Sequence, residues 1–210
     1  MHLQGNITLT PPLPPSQNSR DKLALLAHLN DPTIYNWLQG PPVPFTEADA
    51  AAFLGRSYTS SLAFMAEGIV GGCPFSIIRC GEEMIGNISI GRWKFYELSS
   101  LRQREDQTKL NDALDIGEER IIWGFAMHLS TSYNGQGIMS AAVKAVMDFA
   151  VERMNAQHFK VCMYADNVGS VRVFEKNGFT VEHFIKDGGV VPENRGGGRR
   201  SIYIMKRDFI

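Results

Sequence analysis

The chain has 210 residues, 44% hydrophobic and 20% charged, with 21 Lys and Arg against 22 Asp and Glu for a formal charge of -1. That composition can bury a core and excludes a disordered or collagen-like chain, and the balanced charge leaves no global field to draw in nucleic acid or an anionic membrane. At ~150 residues per domain the length fits one domain with an insertion; the three cysteines, Cys73, Cys80 and Cys162, have neither zinc spacing nor a CxxC pair, so no disulfide framework or metal site is expected.

The opening MHLQGNITLTPPLPPSQ lacks a basic segment followed by an apolar run, and no 18-residue apolar stretch occurs. A soluble cytoplasmic protein with no membrane segment is expected. Residues 3–9 alternate as a short strand that Pro11, Pro12, Pro14 and Pro15 stop. A helix is expected from about Ser19 to Asn30, with Leu23, Leu26, Ala27 and Leu29 on its apolar face. Gly40-Pro41-Pro42-Val43-Pro44-Phe45 cannot be regular, and the Thr46-Glu47-Ala48-Asp49 that follows has the spacing of a capping box for a helix reaching about Leu62. Residues 75–80 and 84–90 read as strands joined by the turn Gly81-Glu82-Glu83. The polar, charge-mixed stretch 92–117 breaks the texture and reads as an insertion or mobile loop, a solvated excursion or a rim for a substrate mouth.

Residues 120–129 have apolar side chains on both parities, as a central strand covered on both faces would. Residues 138–154 place Met139, Ala142, Val143, Val146, Phe149 and Ala150 on one helical stripe. A strand at 159–164, a helix at 168–176 ended by Asn177-Gly178, and strands at 179–185 and 201–206 complete the pattern. The fold class expected is α/β with a mixed sheet, in a single domain.

Two segments carry chemistry. In Ser132-Tyr133-Asn134-Gly135-Gln136-Gly137-Ile138-Met139-Ser140, two glycines remove side-chain bulk where a helix start leaves N–H groups unpaired and about half a positive charge. Such a turn would cradle an anion without any lysine, or simply connect a strand to a helix. Neither GxGxxG nor GxxxxGK[ST] is present. The second segment runs from Asp166 to Phe179 and opens another helix, with Asn167 at the cap position and Ser170 on the first turn. Both lie beyond the carboxyl ends of strands, where α/β sheets place ligands.

The pair SYNGQGIMSAAV and ADNVGSVRVFEKNGF resembles the acetyl-CoA motif and the asparagine-to-GF motif of the GNAT superfamily of N-acetyltransferases. The stretch LNDPTIYNWLQGPPVPFTEADAAAFL resembles the RimJ/RimL-like branch, so the resemblance covers about residues 7–207, apart from the polar insertion at about 92–117. It implies an α/β (α+β) fold, with a mostly antiparallel mixed sheet flanked by helices and a splayed central strand pair holding acetyl-CoA. Backbone groups of Met127, His128 and Leu129 would pair with the pantetheine arm. Asn134, Gly135, Gln136, Gly137, Ile138 and Met139 would hold the pyrophosphate, Asn167 and Ser170 would face the amides and thioester, and Phe174 would lie near the sulfur. Trp37, Pro44 and Phe45 would line the amine pocket.

There are departures from the family pattern. Asn134 and Met139 stand where the consensus often has Gln or Arg and Gly or Ala. Phe174 stands where many members have a tyrosine as general acid, and phenylalanine has no proton to give.

The reaction implied is direct attack of a neutral primary amine on the acetyl thioester. The acceptor is a peptide N-terminus or a small amine, and no metal takes part. Asn167 and Ser170 are the catalytic candidates, with His128 and Glu119 as candidate bases, each of which could instead be structural. Two other readings stay open: a CoA-binding regulatory protein without turnover, suggested by Phe174, and a nucleic-acid module using Arg195, Arg199 and Arg200, which the balanced charge opposes. Neither nucleic acid nor membrane is an expected partner, and the chain would be a monomer or homodimer.

Overall fold

The computed structural model describes residues 1–209. Strands β1 (His2–Gln4) and β2 (Ile7–Thr10) form a hairpin, followed by helices α1 (Ser19–Leu29), α2 (Pro32–Tyr35) and α3 (Glu47–Phe64). Strands β3 (Ile77–Cys80) and β4 (Glu83–Arg92) lead through helix α4 (Leu101–Asp112) to β5 (Ile122–Leu129) and helix α5 (Ile138–Met154). Strand β6 (His158–Tyr164), helix α6 (Val168–Lys176) and strands β7 (Thr180–Val190) and β8 (Arg199–Asp208) follow. The eight strands form one sheet in the order β1-β2-β3-β4-β5-β6-β8-β7. Every neighbouring pair is antiparallel except β5 and β6, so the mixed, mostly antiparallel sheet expected from the sequence is present.

Helices cover both faces. The stripe of α5 buries Met139, Ala142, Val143, Val146 and Ala150 against one face, together with Trp123 and Phe159 from the sheet. On the other face α1 and α3 bury Leu25, Leu29, Ala50 and Leu54 on Ile77 and Met84. Each fully buried Leu or Ile contributes about 1.5–3 kcal/mol of transfer free energy, so both layers are held mainly by apolar packing.

One polar link crosses the second layer. Asp21 on α1, 1% exposed, accepts two hydrogen bonds from Arg79 on β3 at 2.6 and 2.8 Å, and the same guanidinium reaches Thr10 Oγ1 at 3.0 Å. This buried pair sets the face of α1. It turns in the residues in step with Asp21, namely Leu25 and Leu29, and leaves Leu23, expected on the apolar face, largely exposed.

Two further expectations change. Residues 3–9 are a two-strand hairpin rather than one strand. The polar stretch 92–117 is partly helical: α4 has a Ser100 cap whose hydroxyl accepts from the Gln103 N–H, and Asn111 is buried. Asn111 exchanges hydrogen bonds with the backbone of Ile122, at 3.0 Å to its N–H and 2.9 Å to its carbonyl. Polar contacts of this kind hold a helix without an apolar stripe, which is why periodicity did not reveal it. No helix among the described residues is long and apolar enough to cross a membrane.

Candidate active site

The central strands pair and then part. Strands β5 and β6 are registered at only three positions, Ile122 with His158, Trp123 with Phe159 and Gly124 with Lys160. Beyond Gly124, β5 stays on β4 as far as Leu129, while β6 stays on β8 through Tyr164.

Large side chains brace the fork on both faces. On one, Trp93 lies so close to Gly124 that an added Cβ would meet its ring at 2.8 Å. On the other, the Phe125 ring packs among Phe159, Phe174 and Phe179 with centroid distances of 5.9 to 6.2 Å. Strand alternation then decides which backbone groups face the gap. The Ile122 carbonyl accepts from the Trp93 N–H on the β4 side, Ala126 O accepts there from Ser89 Oγ, and His128 O lies against Gly86. Backbone groups of Phe125, Met127 and Leu129 are therefore turned toward the gap. This corrects the expectation for His128, whose backbone belongs to the β4 side.

A cleft of about 1180 Å³ runs through the fork, lined by residues of both helical layers. On the first side stand the starts of α5 and α6. Gly135 and Gly137 have φ of +76° and +77°, open space surrounds the position a Cβ would take on either, and Gly137 is the N-cap of α5 with no side-chain cap. The first helical N–H to find an acceptor within α5 is that of Ala141, on Gly137 O. Those of Ile138, Met139 and Ser140 thus precede the ladder and converge on the cleft mouth. Asn177 fixes this end by donating from Nδ2 to Ser140 O at 3.1 Å.

At α6 the Asn167 side chain accepts from the Ser170 N–H at 3.1 Å, so its Oδ1 serves as the cap while Nδ2 remains a donor. Asn134, Gly135, Gly137, Ile138, Met139, Asn167, Ser170 and Phe174 all line the cleft, together with Met127, His128 and Leu129. Arg172 and Lys176, a turn apart on α6, line it as well. They lie inside the motif quoted above, and their i,i+4 spacing was the available signal. Phe174 is fully buried, edge-on to Phe179 at 5.0 Å, and offers no polar atom.

The opposite side is made of side chains from α1, α2, α3 and the segment after β4. Trp37 and Phe45 line it as expected, and Asn87, Ser89 and Tyr96 join them. Pro44 does not: it is exposed beside the cleft rather than in it. Glu119 is likewise displaced, lying in an exposed turn ahead of β5, at the paired end of the strand rather than the open one. Gln136 points away, donating from its side chain to Ser132 O, while its carbonyl accepts from Gln4.

His128 is in the cleft wall but is only a weak base at neutral pH. It is 8% exposed and edge-on to His28 at 5.4 Å, with its Nε2 and the His28 Nδ1 both unpartnered. Burial, then the nearby His28, pushes its pKa down to about 3, and burial likewise lowers that of His28 against the pull of Glu83 and Asp31. Burial raises the Cys162 thiol in the same cleft to about 11, so it stays protonated and is no nucleophile at pH 7. No three His, Cys, Asp or Glu side chains among the described residues gather as metal ligands would.

The arginines near the carboxyl end are structural. Arg195 donates to the carbonyls of Tyr35, Leu38 and Pro41, and Arg200 lies between the rings of Trp37 and Tyr164 while binding Asp166 at 2.7 Å. They strap the β7–β8 connection to the loop after α2 and form no basic stripe.

Comparison with known proteins agrees with this geometry. The family described as acetyltransferase (GNAT) domain matches residues 13–180. The probable N-acetyltransferase YjcK of Bacillus subtilis (strain 168) is 39% identical over 54 residues, 26% of this chain and 30% of that protein, so the match spans about a third of that relative. Among solved structures, RimL, a ribosomal L7/L12 alpha-N-protein acetyltransferase in complex with coenzyme A, has a TM-score of 0.66 at 17% identity, covering 99% of this chain and 97% of that one. The microcin C7 self-immunity acetyltransferase MccE, in complex with acetyl-CoA and AMP, has a TM-score of 0.65 at 15% identity, covering 99% and 94%. The ribosomal-protein-S5-alanine acetyltransferase of Vibrio fischeri has a TM-score of 0.64 at 15% identity, covering 96% and 91%. These structures share the fold.

Proposed function

We propose that this chain, which belongs to the GNAT acetyltransferase family, moves an acetyl group from acetyl-CoA to a primary amine by direct attack, as one acetyltransferase domain over residues 7–207 acting in the cytoplasm. The observation that carries this reading is the coincidence, in one cleft, of a forked strand with free backbone groups and a helix start with no side-chain cap. Acetyl-CoA, as substrate, supplies an activated thioester.

The chain's own residues supply binding and orientation. The N–H groups of Ile138, Met139 and Ser140 would hold the pyrophosphate, with Arg172 and Lys176 near enough along the same wall to balance charge. The backbone of Met127 and Leu129 would pair with the pantetheine arm as an added strand does, and one of these N–H groups would face the oxygen that gains charge during transfer. Asn167 Nδ2 would steady the arm, and the Ser170 hydroxyl is the candidate donor for the departing sulfur, because Phe174 has no proton to give.

No base is assigned. His128 is too weakly basic, Asp166 is held by Arg200, and Asp49 is held in a capping box by Thr46. The amine would react in its own neutral fraction, with orientation of the two reactants worth roughly 7–11 kcal/mol. Protein α-amines, the acceptors for which RimL is described above, meet this condition near pH 8 more easily than lysines do.

The test is release of CoA thiol from acetyl-CoA with a panel of peptides and small amines, beside calorimetric titration with acetyl-CoA. Ser170→Ala is expected to lower kcat about 10- to 100-fold without changing acetyl-CoA affinity. Binding without thiol release from any amine would instead mark a CoA-binding regulator, the reading that Phe174 favours.

A further inference from the structure

We propose that the acceptor is a primary amine with a single positive charge, carried on an aromatic or branched apolar group that Trp37 and Tyr96 receive. This rests on the transferase reading above and deepens it. The first support is aromatic surface. Trp37 and Tyr96 line the side of the cleft remote from α5 and are left 39% and 37% exposed.

Both rings are held from behind. The Arg200 guanidinium lies 4.6 Å from the Trp37 ring centre and is itself fixed by Asp166 and the Asn36 carbonyl. Trp93 meets Tyr96 edge-on at 5.1 Å, and Arg104, anchored on the carbonyls of Tyr96 and Leu98, lies 5.6 Å from the Tyr96 ring. Rings fixed in this way offer apolar contact area with little ordering left to do on binding. Tyr96 and Arg104 both come from the stretch 92–117, so that polar segment is a wall of the site.

The second support is charge. Only two carboxylates line the cleft among the described residues, and one of them is ion-paired. Asp49 Oδ2 accepts from the Thr46 N–H and hydroxyl, and Arg56 on the same helix offsets part of its charge. Asp166 accepts from Arg200 at 2.7 Å. Arg56 lines the cleft as a cation, and Arg172 and Lys176 stand on the wall assigned to the pyrophosphate. A polyamine or a multiply charged amino sugar would bring two or more positive charges and find at most the one partly offset carboxylate of Asp49, whereas a lone amine that reacts while neutral needs none.

The experiment uses the full chain with acetyl-CoA and compares phenethylamine with spermidine, by thiol release and by calorimetric binding in the presence of CoA. Phenethylamine is expected to show a kcat/KM about 100-fold above that of spermidine. Tyr96→Ala and Trp37→Ala are each expected to raise its KM about tenfold while leaving the KM for acetyl-CoA unchanged, and Tyr96→Phe, which keeps the ring, to hold the original KM. Equal or better use of spermidine overturns the acceptor class and leaves the transferase reading standing. A preference for phenethylamine that survives both alanine substitutions overturns the role of the two rings. If no amine releases thiol, the transferase reading fails and calorimetry decides alone: phenethylamine binding weakened by Tyr96→Ala supports the acceptor site, and absence of binding overturns it.

Discussion

The two sides of the cleft are built from different materials. At the start of α5 the contacts offered are backbone N–H groups, because Gly137 leaves that helix start without a side-chain cap, with the polar side chains of α6 beside them. On the α1–α3 side they are side chains, many of them aromatic, held by arginines and by one buried ion pair. Helix α3 shows the contrast within a single motif: its start is closed by the Thr46–Asp49 capping box, which takes up the Thr46 and Asp49 N–H groups internally. A wall of backbone grips what is common to every donor molecule, while a wall of side chains can be changed residue by residue to select the acceptor.

The contrast breaks most completely where the second wall is anchored. Asp21→Ala leaves the Arg79 guanidinium buried without its counter-charge, and a loss of about 3–5 kcal/mol is expected, measured by urea unfolding. Gly137→Val attacks the other wall: a β-branched residue at φ +77° is strained, and its side chain would fill the open cradle. Acetyl-CoA affinity is expected to fall about 100-fold, or ~2.7 kcal/mol, by calorimetry, with acceptor-side geometry intact.

Acidity sharpens the comparison. The folded pKa of His128, about 3, lies below its ordinary 6.5, so the unfolded chain takes up a proton first as pH falls. Stability contributed by the neutral ring is complete above pH 6.5 and declines between 6.5 and 3, at about 1.4 kcal/mol per pH unit. His128→Leu is expected to flatten that slope in urea midpoints taken at several pH values, less the share carried by His28, whose pKa is lowered in the same direction. The smallest effect belongs to the closed helix start. Thr46→Ala is expected to lower Tm by roughly 2–4 °C in calorimetry and to leave acetyl-CoA affinity unchanged, because that helix end holds no ligand.

What was legible in the sequence follows the same division. The glycine turn before α5, the Asn167 cap and the α5 stripe are local patterns, and the structure gathers both motifs in the cleft. The Thr46 capping box is equally local and forms as read. The acceptor wall depends on contacts across long stretches of chain, such as Arg195 with Leu38 and Arg200 with Trp37, and no spacing rule encodes those. Glu119 was misplaced for that reason: residue type suggested a role, and only the fork in the sheet shows which end of the strand is open, while Pro44, implied by resemblance, lies exposed in its loop. Helix α4 stayed hidden because what holds it is an asparagine bonded to the strand that follows, which no apolar period reports.

The fork between β5 and β6 has a kinetic consequence. Because the opening passes through the sheet between two helical layers, the nucleotide and the amine of the proposed reaction would approach from opposite faces and meet at the strand edge. Neither would need to leave before the other arrives, so both would reside together during transfer. Double-reciprocal rate plots for such a site intersect, and the acyl group never has to be parked on the protein between two half-reactions.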